Sequence, residues 1–445
     1  MSVRRFIIIL ALALGLSSAS SAAVAAPLAE RTVLDSGLVL LHAEKTTLPF
    51  VTVIVSVGAG SVAEPADKAG LANLTADLLN EGTATRTAKQ ISEAIEFVGG
   101  SLDTSGGADY VSASLTVLKK DLDLGFELLA DILLNPAFDE KEIERRKRII
   151  KNAIIQQKEE PGAIAAKAFS RAVFGDHPYG RPTEGTEESL DRITRQDIVG
   201  YHAARYAPNN AAMVVVGDID RSRLDGLLKK YFGAWRKKEI GQTALPAVAP
   251  KQNAEVLTTT KDLEQSTVML GHIGISRDNP DFYAVSVMNY ILGGGGFASR
   301  LMDNIRDNRG LAYDVRSTFS ASRFGGSFTA SLQTKNESAN TAIEEVLKEM
   351  ERIRTERVTE KELADAQAYL TGSFPLRLDS NRKIAGILAA IENYSLGLDY
   401  VDQYPKRIQA VTREDILRVA RTYLDPKNYV LVVVGDIGKA ALKYK

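Results

Sequence analysis

The pattern of apolar and polar positions opens with strands. Continuous or alternating β-branched residues over 32–43 and 50–57 predict two of them. Leu71, Leu74, Leu78 and Leu79 then recur at helical spacing and predict a helix from about 68 to 80. A second helix follows over 88–97, then a hairpin-like pair of strands over 100–117. Helical periodicity fills 120–174, and this part closes with helix 195–206, strand 211–217 and helix 221–234. The order then starts again, from strand 254–260 through helix 279–292 to strand 428–434. Runs of strands followed by runs of helices predict an α+β sandwich, with helices packed on one face of a mostly antiparallel sheet.

The recurrence is also a repeat of sequence. AAMVVVGDID at 211–220 is answered by YVLVVVGDIG at 429–438, each after a Pro-x-Asn turn, Pro208 to Asn210 and Pro426 to Asn428. FDEKEIE at 138–144 is answered by VTEKELA at 358–364, and SASLTV at 112–117 by TASLQT at 329–334. Three matches in one order, each about 220 residues apart, mark a duplicated domain, because the period is far too long for a solenoid. Between the copies, 241–253 (GQTALPAVAPKQN) has no periodicity and is rich in Pro, Ala and polar residues, as a linker is. The expected organisation is a first domain over 26–240, a linker over 241–253 and a second domain over 254–445.

Composition narrows the chemistry. The 445 residues are 45% hydrophobic and 25% charged, as in globular proteins with large cores. A net charge of −1 gives no electrostatic reason for nucleic acid or an anionic membrane as partner. Arg4 and Arg5, an apolar run over 6–16 and Ala23-Val24-Ala25 read as a signal peptide over 1–25, cut after Ala25. The apolar run is too short to span a bilayer, so the expected product is exported and soluble, periplasmic where an outer membrane exists. There are no cysteines, which excludes a disulfide framework, thiolate nucleophiles and Cys-type zinc sites. The four histidines, His42, His177, His202 and His272, include no pair at helical ligand spacing.

The segment GLANLTADLLNEGT at 70–83 resembles the inverted zinc helix of the insulinase (pitrilysin-like) peptidases, G-L-A-H-x-x-E-H-x-x-x-x-G-T. In an active member the two histidines bind one zinc from one helix face, and the glutamate between them activates the metal-bound water. Those positions hold Asn73, Ala76 and Asp77. The family's third ligand, a glutamate on a later helix, falls on Ala153, and Arg146 stands where an acidic residue is expected one to two turns earlier. The resemblance therefore implies no zinc in this chain. Asn73 and Asp77 are too few oxygen ligands for a hard cation, and DHPYGRPTEGT around His177 resembles a structural loop of the same family.

The second half carries GGGGFASRLMDNIRDNRGLAYDVR at 293–316, which resembles the family's glycine run, S-R-L and I-R-x-x-R-G-L-A-Y signature. The resemblance implies that Arg306 and Tyr313 bind substrate main chain: a guanidinium fork donates to a carbonyl, and a phenol can reach the same oxygen or the oxyanion. Taken without the surrounding signature, an Arg and a Tyr at this spacing read equally well as surface helix and strand residues. In the first half, Gly100, Ser101, Leu102, Asp103 and Thr104 fall where the family places an exposed edge strand that accepts an extended peptide. The same residues also suit an ordinary edge strand.

The resemblance implies a non-catalytic subunit of a periplasmic heterodimeric zinc endopeptidase. The partners expected are a homologous zinc-bearing subunit and an extended peptide, with zinc held by the partner and no cofactor in this chain. Two other readings remain open on sequence. One is a peptide-binding or scaffold protein of the same fold without proteolytic role. The other is a self-sufficient peptidase with an improvised metal site.

Overall fold

The computed structural model describes residues 28–241, 245 and 248–444. The signal peptide expected over 1–25 lies outside the described residues, as does part of the 241–253 linker.

Eleven strands among the described residues form two sheets. The first contains β1 (Glu30–Val33), β2 (Val39–Glu44), β3 (Phe50–Val57), β4 (Ser101–Gly106), β5 (Val111–Leu118) and β6 (Ala211–Gly217), in the order β1-β2-β6-β3-β5-β4. The second contains β7 (Glu255–Thr260), β8 (Gln265–Ile273), β9 (Ala312–Ser322), β10 (Gly325–Lys335) and β11 (Val430–Gly435), in the order β7-β11-β8-β10-β9. Pairing is antiparallel except for β2 with β6 and β7 with β11. The helices of the first half are α1 (Leu71–Leu78), α2 (Ala88–Phe97), α3 (Leu122–Leu134), α4 (Glu140–Gln157), α5 (Pro161–Phe174), α6 (Glu187–Arg192), α7 (Arg195–Arg205) and α8 (Arg221–Leu227). Those of the second are α9 (Phe282–Asn289), α10 (Ala339–Thr355), α11 (Glu360–Gly372), α12 (Asn381–Asn393), α13 (Tyr400–Gln409), α14 (Arg413–Tyr423) and α15 (Ile437–Ala440). This is the α+β, two-sheet architecture that the repeat predicts.

Local chemistry moves some boundaries. The run 32–43 is not one strand but a hairpin, because the Leu38 carbonyl accepts from the Leu34 amide and Gly37 turns at φ +80°. The helix expected from 68 begins only at Leu71. Gly70 sits at φ +95°, and a Cβ there would lie 2.7 Å from the Glu184 carbonyl oxygen, so neither a helical backbone nor a side chain fits.

Along β5 the apolar residues alternate inward, whereas β6 and β11 are buried at every position. A continuously apolar strand needs cover on both faces. Met213 and Val215 of β6 meet the helices of their own half. Val214 and Val216 turn the other way, into a core shared with the second half, where α12 packs across β6 and β3. The second sheet is treated alike: Val430, Val432 and Val434 meet Ala165, Phe169 and Val173 of α5. Each half thus covers one face of its sheet with its own helices and receives one helix from the other half on the opposite face.

Polar contacts pin the exchanged α12 at both ends. Asn381 Nδ2 donates to the Phe50 carbonyl at 3.1 Å, and Asn393 Nδ2 to Ser56 Oγ at 3.3 Å. At the centre of the molecule the β4–β5 and β9–β10 turns meet. Tyr179 OH donates to Asp109 Oδ1 at 2.5 Å, and the amides of Arg323 and Phe324 donate to Asp109 Oδ2 and to Tyr179 OH, each at 3.2 Å. The edge strands β4 and β9 therefore both end at one junction.

Truncating the exchanged α5 tests this coupling. Phe169→Ala should cost about 3–5 kcal/mol in urea unfolding, as large aromatic truncations in a core do. A loss near zero would mean that α5 does not bind the two halves together.

Candidate functional site

Helix α1 carries the positions at which the family pattern has its zinc ligands. Its N-terminus is held by Glu64, 6% exposed, whose carboxylate accepts from the amides of Gly70 at 3.1 Å and Ala72 at 2.9 Å. Burial pushes the Glu64 carboxyl up to about 7, against the pull of those amides and of Arg181. Ala76 faces the core, whereas Asn73, Asp77 and Asn80 share a half-buried face at helical spacing.

On that face Arg146 of α4 donates through Nε to Asp77 Oδ2 at 3.1 Å, and its Nη1 lies 3.9 Å from Glu81 Oε1. Arg145 extends the network to Glu81 and to Glu142. Burial raises the Asp77 carboxyl above its ordinary value, opposed by the Arg146 guanidinium. Ala153 is exposed on α4, seven residues after Arg146 and about two turns along the same side. These residues do not fit zinc. They offer an amide, two methyl groups and one carboxylate already paired, and Arg146 brings a fixed positive charge that would repel a cation.

The histidines are taken up by the fold. His42 Nε2 lies 2.9 Å from the Ile219 carbonyl, and His177 Nδ1 accepts from the Tyr179 amide at 3.1 Å. His202 Nε2 meets the Leu133 carbonyl at 2.9 Å and its ring stacks on Tyr206; burial lowers it to about 4. His272 Nε2 accepts from the Asp425 amide at 3.0 Å. Among the described residues no three His, Asp or Glu side chains gather as a metal site.

Gly100, Ser101, Leu102, Asp103 and Thr104 lie at the start of β4, which pairs only with β5 and leaves its other edge free. Helix α1 runs beside that strand. A Cβ on Gly106 would lie 2.6 Å from Asn73 Cα, and Asn80 Nδ2 reaches the Leu102 carbonyl at 3.4 Å. The strand edge and the altered zinc helix are thus neighbours. The far end is touched by the other half, where Arg382 Nη2 reaches Ser101 Oγ at 3.3 Å.

Arg306 and Tyr313 are brought together in the second half. Arg306 lies on a π-helical turn, Met302–Asn308, which Gly310 ends at φ +62° while the Leu311 amide returns to the Ile305 carbonyl. The chain then enters β9 with Tyr313 86% exposed. The Arg306 guanidinium carbon is 5.6 Å from the Tyr313 ring centre and 4.7 Å from that of Phe297, and Nη1 donates to Asp307 Oδ1 at 2.9 Å. Both residues line an open cavity of about 720 Å³ with Met269, Leu332 and, from the N-terminal turn of α5, Gly162. The β4 residues do not line this cavity, so the chain holds two separate candidate surfaces.

The supports of this site are not singled out by the sequence. Arg300, 8% exposed, makes a two-pronged contact with Glu362 of α11, Nε to Oε1 at 2.6 Å and Nη2 to Oε2 at 3.1 Å. Asn304 reaches Glu345 and Glu349 of α10. The S-R-L signature contains Arg300, but its partner lies 62 residues away, and no local spacing announces the pair. Burial alone would raise the Glu362 carboxyl, yet Arg300 and the Thr359 amide hold it down to about 2.

A depressed carboxyl stabilises the fold above its unfolded value of 4.5, and that contribution fades as pH falls toward 2. Glu362→Gln should therefore lower the unfolding midpoint at pH 7, with the gap to wild type closing between about pH 4.5 and 2. A gap that does not change with pH would mean the ion pair is not its source. Zinc is a separate test: the purified chain, exchanged through zinc buffer and desalted, should retain under about a tenth of an equivalent. A full equivalent would contradict the fit argument at Asn73, Asp77 and Arg146.

Comparison with known proteins places these features in a family. Residues 39–187 match the insulinase family, peptidase family M16, and residues 192–370 match the peptidase M16 inactive domain. The first match contains the altered α1 positions and the second contains Arg306 and Tyr313. An uncharacterized zinc protease of Mycobacterium leprae is 32% identical over 91% of this chain and 91% of its own length. Another, of Bacillus subtilis, is 26% identical over 92% of this chain and 98% of its own. Among solved structures, a peptidase M16 inactive domain from Pseudomonas fluorescens superposes with a TM-score of 0.86 at 30% identity, covering 92% of this chain and 98% of that one. A protease from Helicobacter pylori has the same fold, with a TM-score of 0.86 at 22% identity over 92% of this chain and 99% of that one. With relatives this similar over nearly their whole length, the chain belongs to the insulinase (M16) peptidase family.

Proposed function

We propose that this chain is the non-catalytic subunit of a heterodimeric periplasmic zinc metalloendopeptidase that cleaves unfolded peptides. Zinc and the general base belong to a homologous partner subunit. This chain contributes Arg306 and Tyr313 to the partner's active site, and the free edge of β4 grips extended peptide by backbone pairing.

The observation that carries the reading is a contrast within one chain. At the zinc helix, Asp77 is tied to Arg146, and the neighbouring positions offer no ligand. At the other surface, Arg306 and Tyr313 stand together on an open cavity. A guanidinium that lines that space and has N–H groups beyond the one given to Asp307 can meet a peptide carbonyl, and an exposed phenol can follow the oxygen as it gains charge.

Co-expression with a homologue that has an intact zinc helix, and copurification with it, tests the assembly. In the purified complex, Arg306→Ala should lower kcat/KM about 100-fold and Tyr313→Phe about 10-fold, in the range seen when transition-state hydrogen-bond donors are removed. Thermal midpoints should not move, because both side chains lie outside the cores. Full activity in both variants would sink the assignment of these two residues.

A further inference from the structure

Phe297 is the exposed aromatic residue at the end of the glycine run. Single hydrophobic residues on a surface need no explanation, but this one is held in place. Phe297 is 69% exposed and Ala298 after it is exposed too, while Ser299 and Arg300, which follow, are buried. Ser299 Oγ donates to the Gly296 carbonyl at 2.7 Å, and the Ser299 amide donates to the same oxygen at 3.0 Å. Gly296 takes φ +56°, a turn that a side-chain-bearing residue enters at a cost. Arg300 then fastens the segment to Glu362. A loop fastened by Ser299 and Arg300 thus presents a phenyl ring to solvent, and the cation over that ring is Arg306, 4.7 Å from its centre.

We propose that Phe297 is a positioning residue that acts through Arg306, holding the guanidinium in the orientation in which its free N–H groups face an incoming peptide carbonyl. This rests on the reading of Arg306 as a peptide-holding group. An arginine on a surface turn otherwise has many rotamers, and each must be given up when a peptide binds. Its single carboxylate contact, to the adjacent and half-exposed Asp307, leaves the rest of the fork undirected. A ring face beneath the guanidinium removes that freedom in advance without occupying the N–H groups, which lie in the plane of the fork and stay available. An acidic partner in the same place would hold the arginine equally well but would use up those donors. The Tyr313 ring, at 5.6 Å, is the second aromatic neighbour and is itself free to engage the peptide.

The test is a double-mutant cycle on the full mature chain with two readouts. The first is the order of the Arg306 Nε–H bond by NMR relaxation, on the ps–ns scale. It should fall in Phe297→Leu and return in Phe297→Tyr. The second is affinity for a fluorescein-labelled, unstructured peptide of about 20 residues, in the absence of any partner. Phe297→Leu should weaken binding about fivefold when Arg306 is present and by less than about twofold in an Arg306→Ala background, with the thermal midpoint unchanged. Equal weakening in both backgrounds would show that Phe297 touches the peptide directly, and would overturn the proposal. So would unchanged Arg306 order in Phe297→Leu, or unchanged affinity in Phe297→Leu where Arg306→Ala is weakened, and in either case the reading of Arg306 would stand. Arg306→Ala binding as well as wild type, or no probe binding by wild type, would remove that reading and the proposal together.

Discussion

Val214 and Val216 on β6, and Val430, Val432 and Val434 on β11, present apolar faces that the helices of their own half do not cover. Two fully apolar central strands, each paired parallel on one side and antiparallel on the other, cannot be left open to water, and each is closed by a helix from the other half. That reciprocal cover makes two homologous halves one body. The β4–β5 and β9–β10 turns meet at Asp109 and Tyr179, so that the edge strands β4 and β9 end at one place. The exchange also reaches one of the two candidate surfaces. Gly162, on the donated α5, even forms part of the wall around Arg306 and Tyr313.

The altered zinc helix is a charge problem solved by side chains. An active relative gathers negative and neutral donors around a divalent cation. In this chain an acidic residue, Asp77, stands in a partly buried position where the pattern has a histidine, and the guanidinium of Arg146 neutralises it. Leaving either partner unmatched in that setting would be costly. Asn73 and Ala76 have no charge to compensate, and the helix keeps its Glu64 cap and its place against β4. The scaffold of the family's active site is therefore intact while its donor set is not. In the second half, the Arg300–Glu362 pair and the Asn304 contacts brace the turn that carries Arg306.

Much of this was legible in the sequence. The duplicated VVVGDI strands, the element order and the α+β class follow from periodicity and repeats, because burial on one or two faces is written directly into the spacing of apolar residues. Arg306 and Tyr313 were legible as a pair only through the signature that surrounds them at 293–316, whose resemblance to the family implies their role; their spacing alone did not single them out. The substituted positions of the zinc helix, Asn73, Ala76 and Asp77, were legible through the intact residues flanking them, Gly70 to Ala72 and Gly82 to Thr83, and Ala153 through its spacing from that helix.

What the sequence could not supply is every partner chosen across distance. Asp77 finding Arg146 and Arg300 finding Glu362 depend on how helices and loops far apart in the chain come to rest against one another, and Phe297 lies under Arg306 through the path of the short stretch between them. The exchanged cover of the sheets is the largest example. The β6 and β11 runs announce two buried faces but do not say whose helix buries the second. The amino-acid sequence alone thus determined the repeated unit, its elements and the chemical inventory of both candidate surfaces. The tertiary structure alone decided which half covers which sheet and which charges meet, because those outcomes are set by packing between segments with no short-range preference for each other.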